Sequence, residues 1–320
     1  MTLRMFSSLM FTCLLAACGS KEPEYAQGAS AQRKPSSGNA TAQEVAAEAR
    51  GGLDCPADIT TPARPAGAPV DDIVGVRPGL TFNEAANVVL CTGELLVIQP
   101  GGSGFNINTY GAKIRQGFSA RDAEPRVVKS SEQYMREMSE EFAARSGNAV
   151  RQDMQPGQSK WYVSTMGLPG EERVIAVARE EWFAEGRNPT MESVADALIK
   201  KYGQPTRKQV MPQMIYLTWV HDPQGRFVPE SGPLANRCNA SPDPDGGVNL
   251  SPDCGLTIAA NVQPERENPA LAKFVQVGLS DQAGGYEAIT RTEQALETGE
   301  MQRRAQQVKD AGQNADQPQL

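Results

Sequence analysis

The strongest restriction on this chain is where its apolar residues are missing. From Gly19 to Val70 the only large apolar or aromatic side chains are Tyr25, Val45, Leu53, Ile59 and Val70. Ala, Gly, Ser, Gln, Pro and charged residues fill the rest. Such a stretch cannot bury enough surface to offset the entropy of ordering it, so any core must come from the residues after Val70. The expectation is a disordered tether over residues 18–53, spanning on the order of 30 Å as a coil, ahead of a globular domain over 54–283. The Ala/Glu-rich run from Thr41 to Arg50 supports at most a short helix.

The 320 residues carry 31 Lys and Arg against 38 Asp and Glu, a net charge of −7. That balance lacks the basic footprint of a nucleic-acid binder. No apolar run is long enough for a membrane-spanning helix. A single histidine excludes a His-rich metal site and leaves few acid–base designs.

The N-terminus has the form of an export signal. Arg4 supplies a short positive region, and Met5 to Leu15 is apolar but too short to cross a bilayer. It ends in Leu15-Ala16-Ala17-Cys18-Gly19, which resembles the lipobox of bacterial lipoproteins. The resemblance implies removal of residues 1–17, a diacylglyceryl thioether on Cys18 and acylation of the new amine. Several acyl chains, at about 0.8 kcal/mol per buried CH₂, would hold the protein almost irreversibly. Gly rather than Asp at position 19 implies the outer membrane, periplasmic face, as the address. The rival reading is an ordinary secretory signal with Cys18 incidental. The place of Cys18, after a short apolar stretch and before a polar linker, favours the lipid.

Three helices can be read downstream. Thr81 with Glu84 forms a capping box, followed by the stripe Phe82, Ala85, Ala86, Val89 and Leu90. Ser130 with Gln133 opens a second, heavily charged helix whose Tyr134, Met138 and Phe142 share a face. Pro189-Thr190 opens a third, with Met191, Val194, Ala195, Leu198, Ile199 and Tyr202 at helical spacing and Gly203 and Pro205 at its end. Strand patterns occupy 94–99, 160–166, 173–179, 214–221, 256–262 and 275–279, with Leu168-Pro169-Gly170-Glu171 as a hairpin turn. Strands cluster after helices instead of alternating with them. That predicts an α+β domain with a mainly antiparallel sheet and two to three packed helices, divisible into related sub-modules at 71–150 and 151–283. Residues 284–320 read as a C-terminal helix with a frayed tail.

Gly75-Val76-Arg77-Pro78-Gly79-Leu80-Thr81 with Glu84-Ala85, and Lys201-Tyr202-Gly203-Gln204-Pro205, resemble the turn, cap and stop motifs of uncharacterised bacterial envelope proteins. They are more distantly similar to the small lipoproteins of the outer-membrane barrel-assembly machinery. The resemblance covers about residues 71 to 281, with Leu80 where Met is usual. It implies protein–protein scaffolding.

With Cys13 in the removed segment and Cys18 lipidated, Cys55, Cys91, Cys238 and Cys254 remain. An even number in an exported chain predicts two disulfides. Three pairings are possible. The turn-rich loop at 241–247 favours Cys238–Cys254, which leaves Cys55–Cys91 to pin the tether's end to the first helix. A four-Cys zinc site lacks any C-x-x-C pair.

Chemical motifs are weak. Gly101-Gly102-Ser103-Gly104-Phe105 fails the G-x-S-x-G pattern and the phosphate fingerprints. Asp243, Asp245 and Asn249 fail the calcium-loop spacing. His221 stands beside Asp222, but neighbours in a strand point to opposite faces. The pairs Glu171-Glu172 and Glu180-Glu181 would suit a glycosidase only across a cleft. Trp161, Tyr162, Trp182 and Phe183 could line a ligand face, but alternation puts half of them in a core.

The sequence therefore predicts no catalytic, cofactor or metal residues. It predicts a non-catalytic protein-binding lipoprotein, anchored to the membrane through Cys18 and partnered by another envelope protein. The alternatives are a periplasmic hydrolase with an unrecognised site and a small-ligand or glycan binder. The intact mass of the mature protein should equal the chain from Cys18 onward plus its acyl groups, with reduction adding the hydrogens of two disulfides. A mass matching a free Cys18 thiol would remove the anchor.

Overall fold

A computed structural model of the chain describes residues 38–101, 105–145 and 154–314. The signal segment, Cys18 and the tether up to residue 37 lie outside the described residues. So does Ser103.

The first described helix, α1 (Ala42–Arg50), falls inside the expected tether. Thr41 and Glu44 form a capping box, Ala46 is buried, and Arg50 donates from Nη2 to the carbonyls of Leu90 and Gly93 at 3.2 and 2.6 Å. Arg126 joins it through Glu48 at 2.6 Å. The ordered part thus begins by residue 38, not 54. The composition argument failed here because a helix docked on an existing surface needs no core of its own. A small Ala and a cation aimed at orphan helix carbonyls are enough.

The domain beyond α1 is a repeat. Helix α2 (Phe82–Leu90) precedes strands β1 (Leu96–Pro100) and β2 (Gly117–Asp122), then β3 (Ser159–Met166) and β4 (Arg173–Trp182); helix α3 (Ser131–Arg145) sits in the connection from β2 to β3. Helix α4 (Met191–Tyr202) precedes β5 (Arg207–Met211), β6 (Met214–Val220), β7 (Leu256–Pro264) and β8 (Ala272–Asp281). All eight strands form one antiparallel sheet in the order β1-β2-β3-β4-β8-β7-β6-β5. The order reads the same from either edge, as two four-stranded meanders joined where β4 pairs β8.

Details of the two halves correspond. The N-cap threonines Thr81 and Thr190 each bridge to the start of their half's last strand, at Arg173 and Leu271. One flanking bond matches as well: Val174 N–H to Leu80 O at 2.8 Å, against Ala272 N–H to Pro189 O at 2.8 Å. The expected division at residue 150 is therefore corrected. The first repeat runs on through Trp182, because β3 pairs β2 and completes its meander.

Alternation gives the sheet two unlike faces. One carries Phe118, Trp161, Val163, Val177, Leu279, Ile258, Leu217 and Trp219, all fully buried under α2 and α4. The predicted caps hold: Thr81 with Glu84 starts α2, Thr190 starts α4 and Gly203 stops it. The other face is small and polar, with Ser164, Ala176, Ala178, Gly278, Ala259 and Thr257. The loop between β6 and β7 presses onto it so closely that a Cβ at Gly278 would lie 1.7 Å from the Ser241 carbonyl oxygen. That loop is fastened by Cys238–Cys254, and Cys55–Cys91 ties the approach to α2, both as favoured from the sequence.

The C-terminal helix α5 (Gln282–Asn314) starts directly after β8, two residues earlier than expected. Gln282 is buried and donates to Asn239 O and Thr257 Oγ1 at 2.9 and 3.1 Å, so the helix start belongs to the domain. Residues 301–313 are exposed. Strands β2 and β5 were not legible, since Gly-Phe-Ser-Ala-Arg-Asp and Arg-Lys-Gln-Val-Met carry little apolar alternation.

Glu84 holds the N-terminal approach to the domain. Its carboxylate accepts from the backbone and hydroxyl of Thr60 (2.7 and 2.8 Å), Thr61 (2.8 and 2.5 Å) and Thr81 (2.9 and 3.0 Å). Burial pushes its pKa up, but these donors outweigh burial and hold it far below the ordinary carboxylate range. The Glu84→Gln variant should lose about 2–3 kcal/mol at neutral pH, as expected for buried bonds to a charged acceptor. A depressed folded pKa contributes stability that is complete above the ordinary value of 4.5 and is lost as pH falls below it. Denaturant titrations should show the parent weakening over that acid range and the variant responding less. Equal slopes for the two would remove Glu84 from this role.

Candidate functional site

Helix α4 presents the predicted stripe, but only part of it is consumed by the core. Met191 and Ala195 are buried, whereas Val194, Leu198 and Tyr202 also line an open groove of about 380 Å³. Its floor is the joint between the two halves: Arg179 and Glu181 of β4 beside Val275 and Val277 of β8. Helix α4 forms one wall, and the turn at Ile73 and Val74 forms the other. Helix α2 covers β1 to β4 and α4 covers β6 to β8, so each helix meets one strand of the joint and the groove opens beside α4 along it.

The turn is built under strain. Ile73 and Val76 exchange backbone bonds at 2.9 and 3.0 Å, and the two residues between them, Val74 and Gly75, have φ of 47° and 84°. Glycine adopts this conformation freely; a β-branched residue does so at a cost of about 1–2 kcal/mol. Val74 nevertheless occupies it and is 45% exposed. Asp72 anchors the turn, accepting from Gly75 N–H at 3.0 Å, Lys201 Nζ at 2.8 Å and Arg64 Nη2 at 2.9 Å. Burial raises its pKa, and Lys201 with the Gly75 amide more than reverses that. The Tyr202 hydroxyl donates to Asp72 O at 2.9 Å, and burial, then the Asp72 charge, pushes that phenol well above its ordinary range.

The charges around the groove are already paired. On the floor Arg179 Nη1 donates to Glu181 Oε2 at 2.7 Å, and the Arg179 guanidinium lies 5.1 Å from the Trp161 ring. On the wall Lys201 belongs to Asp72. What remains for a ligand is apolar surface from Val74, Phe183, Val194, Leu198, Val275 and Val277, with the Arg179 Nε–H on the floor as a buried donor that has no hydrogen-bond partner.

The other sequence candidates are placed apart. His221 lies at the end of β6, buried, with Nδ1 3.3 Å from Leu256 O and its ring edge-on to Phe227. Burial pushes its pKa down. Asp222 turns away to Arg226, accepting from Nε at 2.6 Å. Glu172 is buried and paired with Arg115 at 2.9 Å, while Glu171 is exposed. Glu180 accepts from Trp182 Nε1 at 2.7 Å and Gln276 Nε2 at 2.8 Å on the polar face, opposite Glu181. Asp245 pairs with Lys160 and Asn249 with Asn239. Among the described residues no three metal-binding side chains converge. Trp161 is fully buried, Trp182 stacks on Phe274 at 5.3 Å with rings 6° apart, and only Phe183 of the four aromatics reaches the groove.

No protein family, characterised protein or solved structure matches this chain. The turn from Ile73 to Val76, the cap at Thr81 and the helix stop at Gly203 each do a structural task here. Sequence reasoning marked Gly75-Val76 as a turn and α4 as amphipathic. It missed that the two face each other across the sheet joint, because no periodicity encodes the pairing of β4 with β8.

Val74→Gly should raise the unfolding free energy by about 0.5–1 kcal/mol, the relief of left-handed strain less the added freedom of the unfolded chain. Chemical denaturation would read it. A loss of stability would mean that the turn is not strained.

Proposed function

We propose that this chain is a bacterial envelope lipoprotein, anchored through acylated Cys18 on the periplasmic face of the outer membrane. On this reading its repeated domain is a non-catalytic docking module for another envelope protein. The observation that carries it is the groove over the joint of β4 and β8, apolar and open, with every charge at its edge already matched by a neighbour. A site whose charges are paired, and whose one spare donor is the Arg179 Nε–H on the floor, has little to orient a small polar substrate. It suits apolar side chains projected from a partner's surface. The strained, half-exposed Val74 supports the same reading, because such strain persists where the surrounding structure and a use for the site maintain it. The separation of His221, Glu172, Glu180 and Asp245 weighs against the hydrolase. The commitment of Trp161 and Trp182 to packing weighs against the glycan binder.

Photo-crosslinking residues placed at Leu198 and at Val74 in living cells should each give the same discrete protein adduct. A crosslinker at exposed Val308 should not. Ala197 lies on the α4 wall of the groove, and Ala197→Arg, which fills it, should reduce the adduct by about tenfold, the effect of losing one well-buried anchor. Adducts that are absent, or that form equally well with Ala197→Arg, would refute the groove as the docking site.

A further inference from the structure

The two ends of the sheet are not treated alike. At one end β1 closes in Pro100, and α1 packs beside it. At the other end β5 holds no proline, and among the described residues it pairs with β6 alone. Among the described residues no helix packs along it as α1 packs along β1. An open edge of this kind presents unpaired N–H and C=O groups to any extended chain.

Which groups face outward is set by the hairpin. Met211 pairs with Met214 across the two-residue turn at Pro212 and Gln213. A two-residue hairpin closes on a hydrogen-bonded pair, and such pairs alternate along an antiparallel ladder. Arg207, Gln209 and Met211 therefore bond to β6, while Lys208 and Val210 turn their backbone groups outward. The side chain of Val210 continues the core-side row Val275–Val262–Ile215 past the last covered strand. It is 62% exposed.

The edge is also cationic. Among the described residues Lys208 meets Glu192 at 3.5 Å, and Arg207 meets Glu230 at 3.7 Å, the Asn236 side chain and, through Nη2, the Ala235 carbonyl at 3.3 Å. Both acids are more than half exposed, so these long pairs neutralise little. A second copy of β5 is a poor occupant. An antiparallel ladder centred on Gln209 would set Lys208 against Val210 and Arg207 against Met211 of the other copy, and so give neither cation an acidic residue across the ladder.

We infer that the outer edge of β5 receives, by strand addition, an extended segment of a partner protein with an apolar residue opposite Val210 and acidic residues opposite Lys208 and Arg207. Backbone bonds to Lys208 and Val210 supply the docking, and the two cations select the sequence. The inference shares with the proposed function the existence of a protein partner, but not the groove.

The test uses the mature full-length chain and the peptide Thr-Val-Thr-Glu-Glu-Thr, capped at both ends, with Thr-Val-Thr-Lys-Lys-Thr as control. Amide hydrogen exchange at Lys208 and Val210 should slow when the acidic peptide is added, with Gln209 unchanged. The acidic peptide should bind about fivefold or more tighter than the basic one, the effect of exchanging opposite for like charge across a ladder. Val210→Pro removes an outward N–H and leaves the β6 ladder alone, so it should abolish the effect with unchanged near-ultraviolet dichroism. Lys208→Glu, an exposed change that does not depend on tolerance of proline, should narrow or reverse the preference between the peptides. Three results would overturn the inference: no slowing with the acidic peptide at millimolar concentration, slowing that Ala197→Arg in the groove removes, or Lys208 and Val210 amides that are already slow without peptide and quicken on dilution, which would assign the edge to a second copy. Slowing that survives Ala197→Arg keeps the edge even if the groove fails its own crosslinking test.

Discussion

The antiparallel ladder between β4 and β8 is the contact on which the remaining architecture rests. Its register sets Val177 against Leu279 and Arg179 against Val277, and so brings the apolar rows of two separate meanders onto one face. With that register the two helices each cover their own half. Slipped by one residue, the row would alternate to the polar face and neither helix would have a core to cover. The same ladder explains the groove. Helices seated over the centres of two half-sheets leave the line between them uncovered, and the floor there is the ladder itself.

Unlike faces give the halves unlike accessories. The apolar face takes α2 and α4, which use capped, amphipathic sequences to bury Leu80, Leu90 and Ala195. The polar face takes backbone instead: the disulfide-closed loop lies against Gly278 because a residue without a side chain lets main chain approach main chain. Insertions occur at equivalent points of the repeat, α3 in the first half and the Cys238–Cys254 loop in the second. Here the two halves differ at one connection and share the N-cap bridge at Thr81 and Thr190, which fixes where each helix enters the sheet. Outside the sheet, the carboxylate of Glu84 gathers Thr60 and Thr61, and Arg50 caps the end of α2. Together with the Cys55–Cys91 disulfide, these two polar residues hold a segment that has almost no hydrophobic reason to stay.

Much of the local structure was legible. The capping box at Thr81, the N-cap at Thr190, the stop at Gly203, the β3–β4 hairpin and the alternation of β6, β7 and β8 arise from short-range chemistry that each segment carries alone. The lapses have a common cause. Helix α1 is ordered by a surface it does not contain, β5 is a strand because β6 is beside it, and the repeat boundary at Trp182 is set by which strands pair. The groove is further still from the sequence. Val74, Leu198, Arg179 and Val277 lie in four different elements, and nothing in their spacing links them.

Chemistry local to the chain was sufficient for the α+β class, the antiparallel character, the start and stop of the main helices, and the pair Cys238–Cys254 that its turn-rich loop favours, with Cys55–Cys91 left as the remaining pair. These depend on residues close together in sequence, where backbone geometry and side-chain type act directly. Long-range packing was needed to set the symmetric strand order, the meeting of the two halves at β4 and β8, the open groove above them and the uncovered edge at β5. Those arise from contacts between distant segments, whose energy depends on register and on what is left uncovered once every helix has found its place.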